Sequence, residues 1–502
     1  MGNNPIPMTA AGNRANREKM RRQPIRSRAT GANHKEQIFL HGDEPGWESP
    51  EDACRAFPGG TTMSDTGGYF PRWRLKTEGR IMPDERLPAG QTAVLGLQHV
   101  VAMFGSTVLA PLIMGFDPNV SILFSGISTL IFFIAVGGRV PSYLGSSFAF
   151  IGPVLVATGA AAGAASPDIA LALGGIIAAG VLYALIGVIV MIVGHNWIEK
   201  LMPPVLTGAI VAAIGLVLAP IAIASASGTG PGNPDGDQLS RWIAILTVTS
   251  VGAIAVYAPG MTRRLPILLG GAIAYLAYLV LANGFGLGKP VDFAGVAAAA
   301  WFGLPAFTTP VFSAPAIALI APVVVILVAE NLGHIKAIGA MTGRNLDPYL
   351  GRAFIGDGIA TIFSGAFGGT GMTTYAENMG VMAITRIFST LVFIVAALVA
   401  IILGFSPKFG ALIQTIPGPV IGGLSVVVFG LIAATAGRIW VENKVDFSEP
   451  RNLITVGIAL VLGAGNFKLN VAGFTLDGIG TATIGAIAFY HLLGLGRPAQ
   501  GR

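Results

Sequence analysis

The segment Ser364–Gly380 reads SGAFGGTGMTTYAENMG, and an earlier one, Arg139–Pro153, reads RVPSYLGSSFAFIGP. Both are apolar enough to lie in a membrane, yet glycine or proline interrupts each too often for a plain spanning helix. Their surroundings are plainer. Of the 502 residues 53% are hydrophobic and 11% charged, with a mean hydropathy of +0.69, against roughly 25% charged residues in soluble domains. From Gln91 onward apolar runs of about 20 residues follow one another, each enough to cross a hydrocarbon core of about 30 Å as helix. Alternating strands of the membrane-barrel kind are absent, so the chain reads as an all-α polytopic membrane protein.

Spans are expected to begin near Thr92, Val120, Ser142, Ile169, Pro204, Trp242, Leu265, Pro315, Arg352, Met372, Ile387, Pro417, Asn452 and Gly478, fourteen in all. They divide seven and seven at the loop Lys289–Ser313. An odd number per half turns the second half upside down relative to the first, the inverted-repeat plan of many secondary transporters. The two quoted segments are then third in their halves. Short, glycine-broken segments at matching positions point to a midplane site built from broken helices; the alternative is that small residues only permit close helix packing.

With alternating spans and an internal N-terminus, eleven Lys or Arg fall in cytoplasmic connections and four (Arg241, Lys289, Lys408, Lys468) in the opposite ones. This asymmetry predicts cytoplasmic termini in a cell inner or plasma membrane. Residues 1–90 carry 14 of the 31 Lys+Arg and 11 of the 25 Asp+Glu without an apolar signal stretch, which predicts a disordered cytosolic tail rather than a secretory signal. Eight basic residues stand against Glu18 in the first 35; a solvated tail is favoured over lipid or nucleic-acid binding. Recognisable order begins only after Met63, which makes Met63 a candidate start. Cys54, the single cysteine, has no partner for an internal disulfide.

Few acids remain at membrane depth: Glu330, Asp357 and Glu377. An unpaired ionised acid there costs several kcal/mol, so each marks a pathway or a site. In VAENLGHIK, Glu330 and His334 are four apart and share a helix face. An apolar setting raises the pKa of a carboxyl and a neighbouring imidazolium lowers it, so a pair of this kind suits proton-coupled transport. Glu377 adds a second acceptor. Two carboxylates beside exposed backbone NH groups suit a neutral planar molecule with alternating NH and C=O groups, such as a nucleobase, and repel a free anion. Asp357 is expected either to brace the tenth span by a hydrogen bond or to end a helix. Gln98 and His99 are expected to make an interhelical hydrogen bond. No nucleophile–base constellation or metal-ligand cluster appears, which argues against an enzyme.

ENMGVMAITR, Glu377–Arg386, together with Gln98-His99, the SSFAF segment and the Glu-x-x-x-His of the eighth span, resembles the signatures of the nucleobase-ascorbate transporter family (nucleobase:cation symporter-2). Similarity runs from about Asp84 to Leu493. The resemblance implies a core domain of residues 91–203 and 314–410, a gate domain of residues 204–313 and 411–495, tails at 1–90 and 496–502, and short strands before the third and tenth helices. It implies proton symport of uracil, with thymine as a further substrate, by an elevator-like shift of core against gate in a homodimer, with no cofactor beyond the coupling proton. Carried over by motif, Glu330 and Glu377 accept from uracil NH groups, the backbone NH groups of Phe148 and Ala376 face its carbonyls, and His334 supports Glu330. Ser147, Asn378 and Gly380 shape the broken segments. Ala376 stands where many uracil carriers of the family have glycine, and Glu377 where purine-selective members have glutamine. A xanthine or urate permease is the nearest alternative, and an anion exchanger or channel of similar fold a more distant one.

Overall fold

The structure is a computed structural model that describes residues 68–159, 168–230, 233–259, 262–471, 474–476 and 478–495. The basic segment of the tail, Cys54, Met63 and residues 496–502 lie outside the described residues. The principal helices are α1 Ala89–Met114, α2 Pro118–Ala135, α3 Ile151–Thr158, α4 Ile169–Val193, α5 Pro204–Ser227, α6 Gln238–Tyr257, α7 Pro266–Leu279, α8 Val324–Thr342, α9 Leu350–Ala366, α10 Ala376–Thr385, α11 Thr390–Gly404, α12 Gly418–Glu442, α13 Pro450–Ala464 and α14 Gly478–Leu492. Their ends follow local chemistry. Asp117 accepts from the Asn119 N–H ahead of α2, with Pro118 in the first turn, and α1 and α8 stop at the left-handed glycines Gly115 and Gly343.

Among the described residues eight helices are long and apolar enough to cross a membrane. They are α1, α2, α4, α5, α6, α7 with its continuation to Gly284, α8 with its lead-in from Ala314, and α12; α11 adds a ninth if joined to Pro407–Gln414, to which it is bent by 80°. This is a multi-pass membrane protein. α3 and α10, with 8 and 10 residues, rise only about 12 and 15 Å and cannot cross alone. Each instead continues a short strand. β3, Leu144–Ser146, pairs antiparallel with β4, Met372–Thr374, in the register Leu144↔Thr374 and Ser146↔Met372. (The earlier pair, β1 Arg74–Leu75 and β2 Glu85–Arg86, lies outside the helices.) Two glycines let the pair close: a Cβ on Gly145 would come 2.5 Å from the Tyr375 ring, and one on Gly371 2.1 Å from Phe150.

The helices pack in two groups. In one, α4 lies along α9, α2 along α9 and α11, and α1 along α11, with the β3–β4 pair against α2 and α1. Gly180 and Gly187, two turns apart on one face of α4, meet Gly358 and Gly351 of α9. A Cβ at Gly180 or Gly187 would sit 2.8 or 2.7 Å from the facing Gly358 or Gly351 carbonyl oxygen, so close packing is part of what small residues do here. In the other group α5 lies along α12 and α13, α6 along α7 and α12, and α13 along α14.

The expectation of a disordered tail through residue 90 fails for its last part. Residues 68–88 form an ordered strap across helix ends. Ile81 is buried and bridges Ile387, Trp73 Nε1 donates to Thr390 Oγ1 at 3.0 Å, and Arg344 pairs with Asp84 at 2.6 Å. Tyr69 Oη donates to the carbonyls that end α2, and Phe70 stacks on Phe133. Charge and proline content suggested disorder, but the strap buries Ile81 and Leu87 and half-buries Trp73, while Tyr69 and Phe70 hold its start by hydrogen bonding and ring stacking.

Candidate functional site

The β3–β4 pair delivers two helix N-termini to one place. A three-residue strand is about 10 Å long, so the starts of the turn Phe148–Phe150 and of α10 are separated by roughly one strand. Ser147 caps the first, its Oγ accepting from Ala149 N–H at 3.3 Å. No side chain caps α10, whose first residue is Ala376. Neither Phe148 nor Ala376 donates its backbone N–H to another element, and unpaired N–H groups at a helix start carry partial positive charge aimed outward. Ala376 is exposed to the space ahead of the helix.

Glu377, in the first turn of α10, and Glu330, on α8, both reach this space, and each stays partly accessible. The helices that carry them, α8 and α10, are in contact, and the buried Thr373 hydroxyl of β4 has no hydrogen-bond partner. Ser106 of α1 donates its hydroxyl to Glu377 Oε1. The strands are pinned from behind. Tyr375 Oη donates to the Ser146 carbonyl at 3.0 Å and accepts from Thr107 at 3.2 Å, Ser146 and Thr370 share a 2.5 Å hydrogen bond, and Ser147 N–H donates to the Gly371 carbonyl. The result is a rim pinned by hydrogen bonds that carries two carboxyl groups beside a helix start.

Several residues differ from expectation. His334 does not pair with Glu330; its Nδ1 shares a 2.8 Å hydrogen bond with Thr374 Oγ1, which fastens α8 to β4. A shared helix face puts the two side chains on one side, but Thr374 offers the nearer partner. Asp357 does not bond the tenth segment. It is fully buried behind the site, its Oδ2 accepting from Asn331 Nδ2 at 2.5 Å and Tyr183 Oη at 3.3 Å, which joins α9 to α8 and α4. The segment ahead of α10 is held instead by Thr361, which bonds the Met372 backbone, and by Ser364, which donates to the Thr370 carbonyl.

His99 makes the interhelical bond expected of it: Asn378 Nδ2 reaches its Nδ1 at 2.9 Å and its carbonyl at 3.1 Å. Gln98 does not, since neither of its buried amide atoms has a hydrogen-bond partner. Asn378 therefore ties α10 to α1 rather than shaping the turn, and Gly380, with open space where a Cβ would stand, is not required by packing.

Ser106, Thr107, Thr373 and Tyr375 were not singled out from the sequence. One signal was available for Ser106: it lies seven residues after His99, on the same face of α1, and both residues meet α10 at adjacent positions, Glu377 and Asn378. Among the described residues no group of three His, Cys, Asp or Glu is placed to hold a metal ion.

Comparison with known proteins places this architecture. The model Xan_ur_permease, described as "Permease family", matches residues 90–472, and the chain belongs to this nucleobase-ascorbate transporter family. It is 60% identical over 428 residues to the Escherichia coli (strain K12) protein named "Putative pyrimidine permease RutG", which covers 84% of this chain and 95% of the relative. A "Uracil permease" of Paenibacillus larvae subsp. larvae is 42% identical over 83% of this chain and 96% of its own length, and one of E. coli (strain K12) is 40% identical over 83% and 95%. These relatives are permeases, and this chain is not an enzyme. Among solved structures, the murine Slc26a9 anion transporter superposes with a TM-score of 0.60 at 12% identity, covering 81% of this chain and 68% of that one. The membrane domain of the cyanobacterial bicarbonate transporter BicA gives 0.55 at 17%, covering 84% and 99%. At such identities the likeness speaks for the fold alone.

Proposed function

We propose that the protein is a secondary active transporter that imports uracil, and related pyrimidines such as thymine, by proton symport across the inner or plasma membrane. The observation that carries this reading is the convergence of Glu330 and Glu377 beside the uncapped start of α10. A uracil edge offers NH donors and C=O acceptors in alternation. Glu330 and Glu377 accept from the NH groups, and the backbone N–H groups of Phe148 and Ala376 donate to the carbonyls. Two carboxylates this near each other resist being charged together in a space filled by a neutral base, so one proton enters with the substrate. His334, bonded to Thr374, supports Glu330 by holding α8 against the strand that lines the site.

In this account the fourteen helices form a 7+7 inverted repeat. The group containing α1–α4 and α8–α11 is the core that carries the site, and the group containing α5–α7 and α12–α14 is the gate. The core moves against the gate as a unit, both termini are cytoplasmic, and two copies associate through their gates. The names of the relatives support a pyrimidine substrate, and Glu377, where glutamine would favour an oxopurine, points the same way.

An anion carrier is disfavoured although the two solved structures compared above carry anions, because both side chains at the site are carboxylates. Competition of labelled uracil uptake by pyrimidines and purines in proteoliposomes tests the substrate. Uracil and thymine are expected to compete and xanthine and urate to fail; the reverse order would overturn the assignment.

A further inference from the structure

The connection from α4 to α5 is a short helix, Asn196–Leu201, and a cavity of about 560 Å³ opens between it and the ends of α13 and α14. Lys200, Arg451, Tyr490 and His491 line it, with Glu199 the one carboxylate. That acid is already engaged on its other side by Lys336 at 3.1 Å and His195 at 3.4 Å. Lys200 is exposed and forms no side-chain ion pair or hydrogen bond among the described residues.

Arg451 is held by a carbonyl and a ring and has no ion pair among the described residues. Its Nε donates to the Tyr490 carbonyl at 2.7 Å, and its guanidinium lies 3.6 Å from the centre of the Tyr490 ring. The remaining N–H groups form a preset fork with no carboxylate to receive it, the geometry that suits a phosphate. His491 Nε2 meets the Leu201 carbonyl at 3.0 Å and closes the cavity floor against the connecting helix. Next in sequence to the lining residues Lys200 and His491, Leu201, Leu492, Leu493 and Leu495 are exposed.

We propose that this cavity binds a phosphate monoanion, carried by a lipid headgroup or free in solution, through Arg451 and Lys200. A basic pocket between helix ends is a feature by which membrane proteins hold anionic headgroups, and the exposed leucines offer apolar surface to acyl chains. The ligand would fasten the α4–α5 connection to α13 and α14. The site is separate from Glu330 and Glu377 and does not rest on the substrate assigned to them.

The test uses the full-length protein in phosphatidylcholine nanodiscs, titrated with phosphatidylglycerol in one arm and inorganic phosphate in the other, with chloride at matched ionic strength as control. Binding is read by native mass spectrometry and by the thermal unfolding midpoint. Saturable binding of either ligand, weakened about fivefold in Lys200→Gln and further in Arg451→Gln, supports the site. Response to phosphatidylglycerol alone identifies a lipid; response to both identifies the free anion as well. Lys200 is exposed, so Lys200→Gln keeps the test valid if Arg451→Gln fails to fold. Binding no stronger than in the chloride control, or equal binding by wild type and Lys200→Gln, overturns the proposal.

Discussion

Ser106 on α1 donates its hydroxyl to the carboxylate of Glu377 on α10, and seven residues earlier on the same face His99 receives the amide of Asn378. Two neighbouring residues of the broken helix are thus fixed by one face of α1. A hydrogen bond to a charged group contributes about 1.5–3 kcal/mol, so Ser106→Ala is expected to raise the half-saturation constant for uracil by about tenfold or more with unchanged expression. An unaltered constant would remove Ser106 from the site.

Glu377→Gln keeps the size of the side chain but replaces one acceptor oxygen with a donor NH₂ facing the base. Uracil uptake should fall by about tenfold or more, and competition by an oxopurine should rise. Full uracil affinity in this variant, measured in proteoliposomes, counts against direct contact.

Asp357→Ala should act on stability and not on selectivity. It leaves Tyr183 and Asn331 without their shared acceptor in a fully buried place, a loss of about 1–3 kcal/mol. A lowered unfolding midpoint with an unchanged order of competing bases is expected. A changed order at wild-type stability would put Asp357 in the site itself.

The strap of residues 68–88 should loosen when its ion pair is cut. Arg344 and Asp84 are largely buried, with side chains 13% and 24% exposed, so Asp84→Ala is expected to cost about 1 kcal/mol or somewhat more. Limited proteolysis should then cleave near Trp73 faster than in wild type. Equal cleavage rates would mean that the apolar anchors alone hold the strap.

The fold was legible where composition is decisive. With α8 counted from its lead-in at Ala314, helices begin within four residues of the expected span starts except at the third, and at the third and tenth a strand comes first. Those exceptions were marked by glycine and by serine or threonine, and paired position is what revealed them. Glu330 and Glu377 stood out because acids are scarce at membrane depth. Asp357 stood out for the same reason, yet burial alone does not say which way a carboxylate points, and its partner Asn331 gave no periodic signal. Ser106, Thr107 and Thr373 were hidden because hydroxyl residues are common in membrane helices, where many satisfy their own backbone, as Thr129 and Thr342 do. The strap was missed because its anchors are spread through a charged, proline-bearing stretch.

Glu330 and Glu377, on the proposed reading, form one site where a neutral base and a proton are taken up together. The most direct measurement is uracil accumulation in proteoliposomes under an imposed pH gradient, acid outside, for wild type and Glu330→Gln, with gradient collapse as control. Wild type should concentrate uracil and lose the gradient of substrate when the proton gradient collapses, while Glu330→Gln should not accumulate it at all. Accumulation by Glu330→Gln at the wild-type level, or uptake driven by sodium in place of protons, would contradict the account.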